Sequence, residues 1–135
     1  MSREIKFRIW DKKYRTFDYN ASPEIFISTD GEVYEKDERN WAMQSWIEYN
    51  KTDNYELSQY TGLKDKNGVE IYEGDIVKIS NHPFERSINI DGNYEVGYND
   101  QMELCCGSWL LFRMKYYSEI IGNIYQNPEL LEWGE

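Results

Sequence analysis

Between Leu57 and Ile79 the chain reads as strand, tight turn, strand, corner and strand, with no helical period anywhere in the run. Asn67-Gly68 supplies the turn, since glycine and asparagine tolerate the positive φ that a tight reversal needs. Gly74-Asp75 supplies the corner, and Ile76 to Ser80 reads as the strand that leaves it. Strands this short and this closely spaced assemble into barrels or sandwiches, so the run predicts a compact, turn-rich, mainly β fold.

The rest of the chain agrees. Arg3 to Trp10 alternates, with Ile5, Phe7 and Ile9 on one face and Glu4, Lys6, Arg8 and Trp10 on the other, which predicts a half-buried strand. Asp11-Lys12-Lys13 turns the chain into a returning strand, Tyr14 to Tyr19. Asp30-Gly31 joins a hairpin between Glu24–Ser28 and Glu32–Glu35. In residues 38–50, Ala42, Trp46 and Tyr49 fall at helical spacing behind a capping Asn40, and a short helix is predicted there. A hairpin around Asp91-Gly92-Asn93 is expected within 84–99, and Leu104 to Phe112 reads as one strand buried on both faces. Ile120 to Tyr125 is the last strand. Asn127-Pro128 then starts a short helix whose Leu130, Leu131 and Trp133 form an apolar lid.

The 135 residues suit a single domain able to bury a core without metal or disulfide. A division into N-terminal hairpins, 1–50, and a barrel with its closing helix, 55–135, is the alternative. Twelve tyrosines and five tryptophans can fill much of that core, and they populate binding surfaces as well. The formal net charge of -10 repels phosphate backbones and argues against nucleic acid as the partner. The charge is uneven: residues 1–15 hold six basic side chains against two acidic ones, and the remainder 9 against 23. Such asymmetry suits a protein partner or pairing between copies of the chain. No apolar stretch follows Met1 and none approaches ~20 residues, so neither a secretory signal nor a membrane span is expected. The adjacent Cys105 and Cys106 read as reduced thiols, which suits a cytoplasmic protein.

Three segments resemble one known family. The opening Lys6-Phe-Arg-Ile-Trp-Asp11, the run Gln59-Tyr-Thr-Gly-Leu-Lys-Asp-Lys-Asn-Gly68 through Ile71-Tyr-Glu-Gly-Asp-Ile-Val-Lys78, and Ile121-Gly-Asn-Ile-Tyr-Gln-Asn-Pro-Glu-Leu-Leu131 are similar to signatures of the YopX-like proteins of phages and prophages. The resemblance implies a mainly β protein working inside a bacterium. It brings no substrate, cofactor or catalytic residue. The Gly74-Asp75 corner also resembles the turn that opens a core strand in SH3-like barrels. The expected architecture is therefore a small SH3-like barrel plus N-terminal β-hairpins, with one or two short helices.

Chemistry-bearing residues are sparse. Lys6, Arg8 and Trp10 share a strand face with Asp11 at its end, and a guanidinium beside an indole can stack and bind a carboxylate or phosphate. These four are the candidate partner-binding residues. The competing reading gives Arg8 a neighbouring carboxylate and sets Trp10 over the core edge. His82 is the only histidine and lies beside Pro83, and the cysteines lack metal-ligand spacing, so no metal site or nucleophilic triad is expected. Glu70, Glu73 and Asp75 could bind a cation but read better as a solvated acidic rim. Tyr55, Tyr60, Tyr72, Tyr94, Tyr98 and Trp109 could line a groove, although core and rim packing explains most of them. No phosphate-cradling glycine motif occurs. The expectation is an accessory protein without enzymatic activity or cofactor that binds a host or phage protein. The alternatives are a homo-oligomeric structural protein and a small β-barrel enzyme using clustered carboxylates.

Overall fold

The computed structural model describes residues 4–18, 24–81 and 90–133, with the side chains of Glu132 and Trp133 excepted. His82, residues 84–89, the first three residues, Tyr19 and the Trp133 side chain, all part of the expectations above, lie outside that description. The fold is mainly β and includes a curled half-barrel sheet. The chain forms two compact units: one holds Phe7–Ser58, and the other holds the segments before and after it. No helix among the described residues is long and apolar enough to cross a membrane.

In the Phe7–Ser58 unit, β1 (Phe7–Asp11) pairs antiparallel with β2 (Thr16–Asp18), and Trp10 stands opposite Phe17. The strands β3 (Ile25–Ile27), β4 (Val33–Trp41) and β5 (Gln44–Lys51) form a separate antiparallel sheet in that order. The Asp30-Gly31 reversal is where the sequence put it, with Ile27 opposite Val33. Residues 38–50 are not helical. They are the distal half of a β4–β5 hairpin in which eight residue pairs stay in register from Tyr34–Lys51 to Trp41–Gln44. Ala42 and Met43 close it with φ of 49° and 65°. Two consecutive positive φ values make the mirror-image turn that fits strand twist, which Asn-Gly usually supplies. Lacking either residue, the turn left no local mark, and a chance helical spacing stood in its place.

That turn makes a stability prediction. L-residues with a side chain are strained in the left-handed region, by roughly 1 kcal/mol each. Ala42→Asn with Met43→Gly is expected to raise the urea midpoint by the equivalent of about 1 kcal/mol. An unchanged or lower midpoint would show that the hairpin end is held by something other than its turn.

Besides the residues up to Lys6, the second unit holds the chain from Gln59, within β6 (Tyr55–Lys64), onward. β7 (Glu70–Tyr72) pairs with it, and the Tyr60 and Tyr72 rings lie 5.6 Å apart. β8 (Asp75–Ile79), β9 (Gly92–Tyr98), β10 (Leu104–Cys106), β11 (Trp109–Leu110) and β12 (Ser118–Asn123) form an antiparallel sheet ordered β11-β10-β9-β8-β12. Register slips between Ile120 and Gly122, and such a bulge increases twist and bends the strand. The hydrophobic core is Ile71, Val77, Ile79, Ile90, Val96, Cys106, Leu111 and Met114. β8 buries Ile76, Val77 and Ile79 and turns Lys78 to water.

Two more expectations need correction, while the C-terminal helix starts where the sequence put it. The apolar run 104–112 is not one strand: it reverses at Gly107 into the β10–β11 hairpin and ends in a helical turn, α1 (Leu111–Met114). Gly107 has φ +61°, and a Cβ there would clash with the Tyr94 ring. Asp91-Gly92-Asn93 is not a hairpin tip, because β9 begins at Gly92 and runs antiparallel to β8. The Asn127-Pro128 start opens a 3-10 helix, Pro128–Trp133, with the Leu130 amide donating to the Asn127 carbonyl.

Both cysteines are free and buried. Burial, and then the neighbouring Cys105 thiol, push the Cys106 thiol up to about 12. A thiol so far above ambient pH offers almost no thiolate. The folded protein at pH 8 is therefore expected to leave a disulfide reagent unreacted at Cys106, and urea should release the reaction. Prompt labelling in the native state would contradict this packing.

Candidate protein-interaction surface

The four sequence-predicted site residues take positions in the framework. Arg8 and Trp10 are 3% and 4% exposed. The Arg8 guanidinium lies 4.3 Å from the centre of the Phe17 ring, and Trp10 packs on Phe17 at 4.9 Å. β1 is thus buried on both faces from Arg8 to Trp10, and neither side chain presents area to a partner. Asp11 Oδ1 accepts the backbone amides of Lys13 and Tyr14 and the Asn54 amide. Burial alone would raise its carboxyl, but these donors hold it below the ordinary aspartate value. Lys6 belongs to the other unit, where its ammonium bonds Glu70 at 2.7 Å and Glu4 at 3.1 Å.

The acidic rim resolves in a similar way. Glu70 meets Lys6, Glu73 accepts the Gln59 amide, and Asp75, 2% exposed, accepts the Tyr72 amide at 2.7 Å. Asp75 is a buried corner residue rather than part of a solvated rim. Among the described residues no cluster of three or more His, Cys, Asp or Glu is placed to hold a metal ion.

Exposed apolar surface collects instead on the β3–β4–β5 sheet. Phe26, Trp41, Met43, Trp46, Ile47 and Tyr49 are all exposed, Trp41 by 75%. Strand alternation and the observed register sort them into two faces. One carries Phe26, Tyr34, Ile47 and Tyr49, with the Phe26 and Tyr49 rings edge to face at 5.2 Å. A shallow hollow opens there, lined by Phe26, Ile27, Ser28, Tyr34 and Tyr49. The other face carries Trp41, Trp46, Asp37, Arg39 and Glu48. Trp46 Nε1 donates to Glu48 at 3.0 Å, and Arg39 Nε lies 2.9 Å from Asp37 and 3.7 Å from Glu48. At the base of the hairpin, Tyr55 donates its hydroxyl to Glu35 at 2.6 Å, and burial followed by that carboxylate pushes the phenol up to about 12.

The aromatics first considered as groove formers are mostly elsewhere. Tyr60 and Tyr72 are buried, while Tyr94 and Trp109 pack on the core of the second unit. The surface aromatics were missed because a helix reading of residues 38–50 sends Trp46, Ile47 and Tyr49 towards a core. The available signal was the alternation Trp46, Glu48, Asn50 against Ile47, Tyr49, Lys51, which has period two.

Comparison with known proteins accords with this architecture. No curated protein matches the chain. The crystal structure of protein EF1440 from Enterococcus faecalis is similar, with a TM-score of 0.63, 30% identity, and coverage of 96% of this chain and 99% of that one. Protein yopX from Bacillus subtilis shares the fold at a TM-score of 0.50 and 23% identity, covering 93% of this chain and 97% of its own. The family model described as YopX protein matches residues 6–132, and the chain therefore belongs to the YopX family.

Proposed function

We propose that this chain is a non-enzymatic protein-interaction module that presents the β4–β5 hairpin to a protein partner. The observation that carries the reading is the cost of the hairpin end. Two residues with side chains occupy left-handed backbone positions, and Trp41 and Met43 stand in water there. Strained backbone and exposed apolar side chains are each unfavourable, and together they suit a surface completed by another molecule. Tryptophan and tyrosine are the usual energetic centres of protein interfaces. β4 and β5 carry four carboxylates against three cations, a mixed field that suits protein and gives phosphate no basic channel. The family resemblance supports a setting within a bacterium, in the cytoplasm, as an accessory protein of a phage or prophage.

The test is capture from a bacterial lysate, with and without nuclease, by the native protein and by a Trp41→Ser/Trp46→Ser/Tyr49→Ser variant. The expected result is a discrete protein that survives nuclease and falls at least about tenfold with the variant, as loss of hot-spot aromatics predicts. Capture that ignores the variant, or vanishes with nuclease, would overturn the reading. Circular dichroism of the variant checks that these exposed positions leave the fold intact.

A further inference from the structure

The outer strand of the exposed sheet is β5, whose only neighbour in the sheet order among the described residues is β4. Seven of its eight residues, Gln44–Lys51, are exposed. Soluble proteins blunt such edges with proline, a bulge, an inward charge or a covering segment, because an unpaired ladder invites another strand. β5 has no proline, and its pairing with β4 runs from end to end without a register shift. We infer that β5 is a dimerisation strand: it pairs antiparallel with β5 of a second copy and joins the two three-stranded sheets into one of six. This inference rests on reading the hairpin as an interaction element, and it names a second copy as one occupant of it.

The register of that pairing follows from the backbone. The two-residue turn closes on Trp41–Gln44 as a hydrogen-bonded pair, so Gln44, Trp46, Glu48 and Asn50 direct their amides and carbonyls to β4. Ser45, Ile47, Tyr49 and Lys51 direct theirs outward. Two copies related by a two-fold axis must match outward groups with outward groups. Only two such registers use seven residues of each strand. One sets Glu48 against Glu48, two carboxylates facing across the axis, which is unfavourable. The other sets Ile47 against Ile47, Ser45 against Tyr49 and Trp46 against Glu48, with no like charges opposed.

The second register forms about six backbone hydrogen bonds from groups otherwise left to water. It also repeats within the interface the Trp46–Glu48 pairing already present in each chain. Ile47 and Tyr49 from both copies would then run as one apolar stripe along the Phe26 face. Edge-to-edge pairing leaves both faces of the sheet open, so dimer formation and partner binding through Trp41, Trp46 and Tyr49 are compatible.

Two measurements test this. Sedimentation equilibrium from micromolar to about 100 micromolar should shift the native mass from 16.3 kDa towards twice that value. Ile47→Glu, which sets two carboxylates across the axis, should weaken the association at least tenfold with an unchanged circular dichroism spectrum. Cross-linking then checks that the two-fold axis lies near the middle of β5 rather than at its ends. Ile47→Cys should join two chains through a short bismaleimide, the axial Cα atoms being about 5.5 Å apart. Ser45→Cys should not, since its copies lie more than about 13 Å apart. A native protein that stays monomeric, an Ile47→Glu protein that still dimerises, or a cross-link at Ser45 in place of Ile47 would each overturn the inference. A monomer that still captures a protein through the aromatics removes the dimer alone, whereas a dimer that captures nothing removes only the partner reading.

Discussion

Asp65→Ala is expected to cost about 3–5 kcal/mol, a large share of what a domain of this size possesses. One carboxylate, 6% exposed, accepts three backbone amides: Asn67 and Val69 at Oδ1, each 2.9 Å away, and Ile120 at Oδ2, 3.0 Å away. The first two hold the 65–69 turn, in which the Gly68 amide also donates to the Asp65 carbonyl. The third ties that turn to β12, 55 residues further along the chain. Hydrogen bonds to a charged group are worth roughly 1.5–3 kcal/mol, and removing the acceptor leaves partly buried donors without one. Asp65→Asn should cost less, about 1–3 kcal/mol, since its oxygen can still serve the turn while its NH2 faces the Ile120 amide. Urea unfolding with an unchanged m-value would measure both. A cost below about 1 kcal/mol for the alanine variant would mean that the turn holds without its carboxylate.

Leu111→Ala is expected to cost a similar amount, about 3–5 kcal/mol. Leu111 is fully buried and belongs to the core cluster with Ile71, Val77, Val96 and Met114. Its neighbour Phe112 is 55% exposed, so Phe112→Ala should stay within roughly 0.5 kcal/mol. The contrast tests the place where the apolar run 104–112 was misread. As one strand, Leu111 and Phe112 would both have been buried. In the observed hairpin and helical turn, only one faces the core. Equal costs at the two positions would contradict that turn.

How much was legible depends on where the determining forces act. The reversal at Asp65–Gly68, the Gly74-Asp75 corner and the Asp30-Gly31 hairpin were all readable, because positive φ and short capping side chains are requirements of single residues. The Ala42-Met43 turn was not readable, since it takes left-handed geometry without the residues that favour it. Its conformation is set by eight cross-strand pairs, and no window of sequence contains both sides of those pairs as neighbours. The candidate site was missed for the same reason. Lys6, Arg8, Trp10 and Asp11 looked like a site because a guanidinium, an indole and a carboxylate lay close along the chain. Burial of Arg8 and Trp10 against Phe17 assigns both a packing role, and burial is a property of the folded chain.

By itself, then, the sequence determined the mainly β class, the glycine and asparagine turns, the family, and a charge ill-suited to phosphate backbones. Each of these follows from local backbone preference, from motif or from composition. The tertiary structure decided which apolar residues are core and which are surface. It gave Leu111 and Cys106 to the interior and left Trp41, Trp46 and Tyr49 in water, although all five belong to residue types that can fill a core. Exposure depends on which strands pair and which edge is left over, and strand pairing joins residues far apart in the chain.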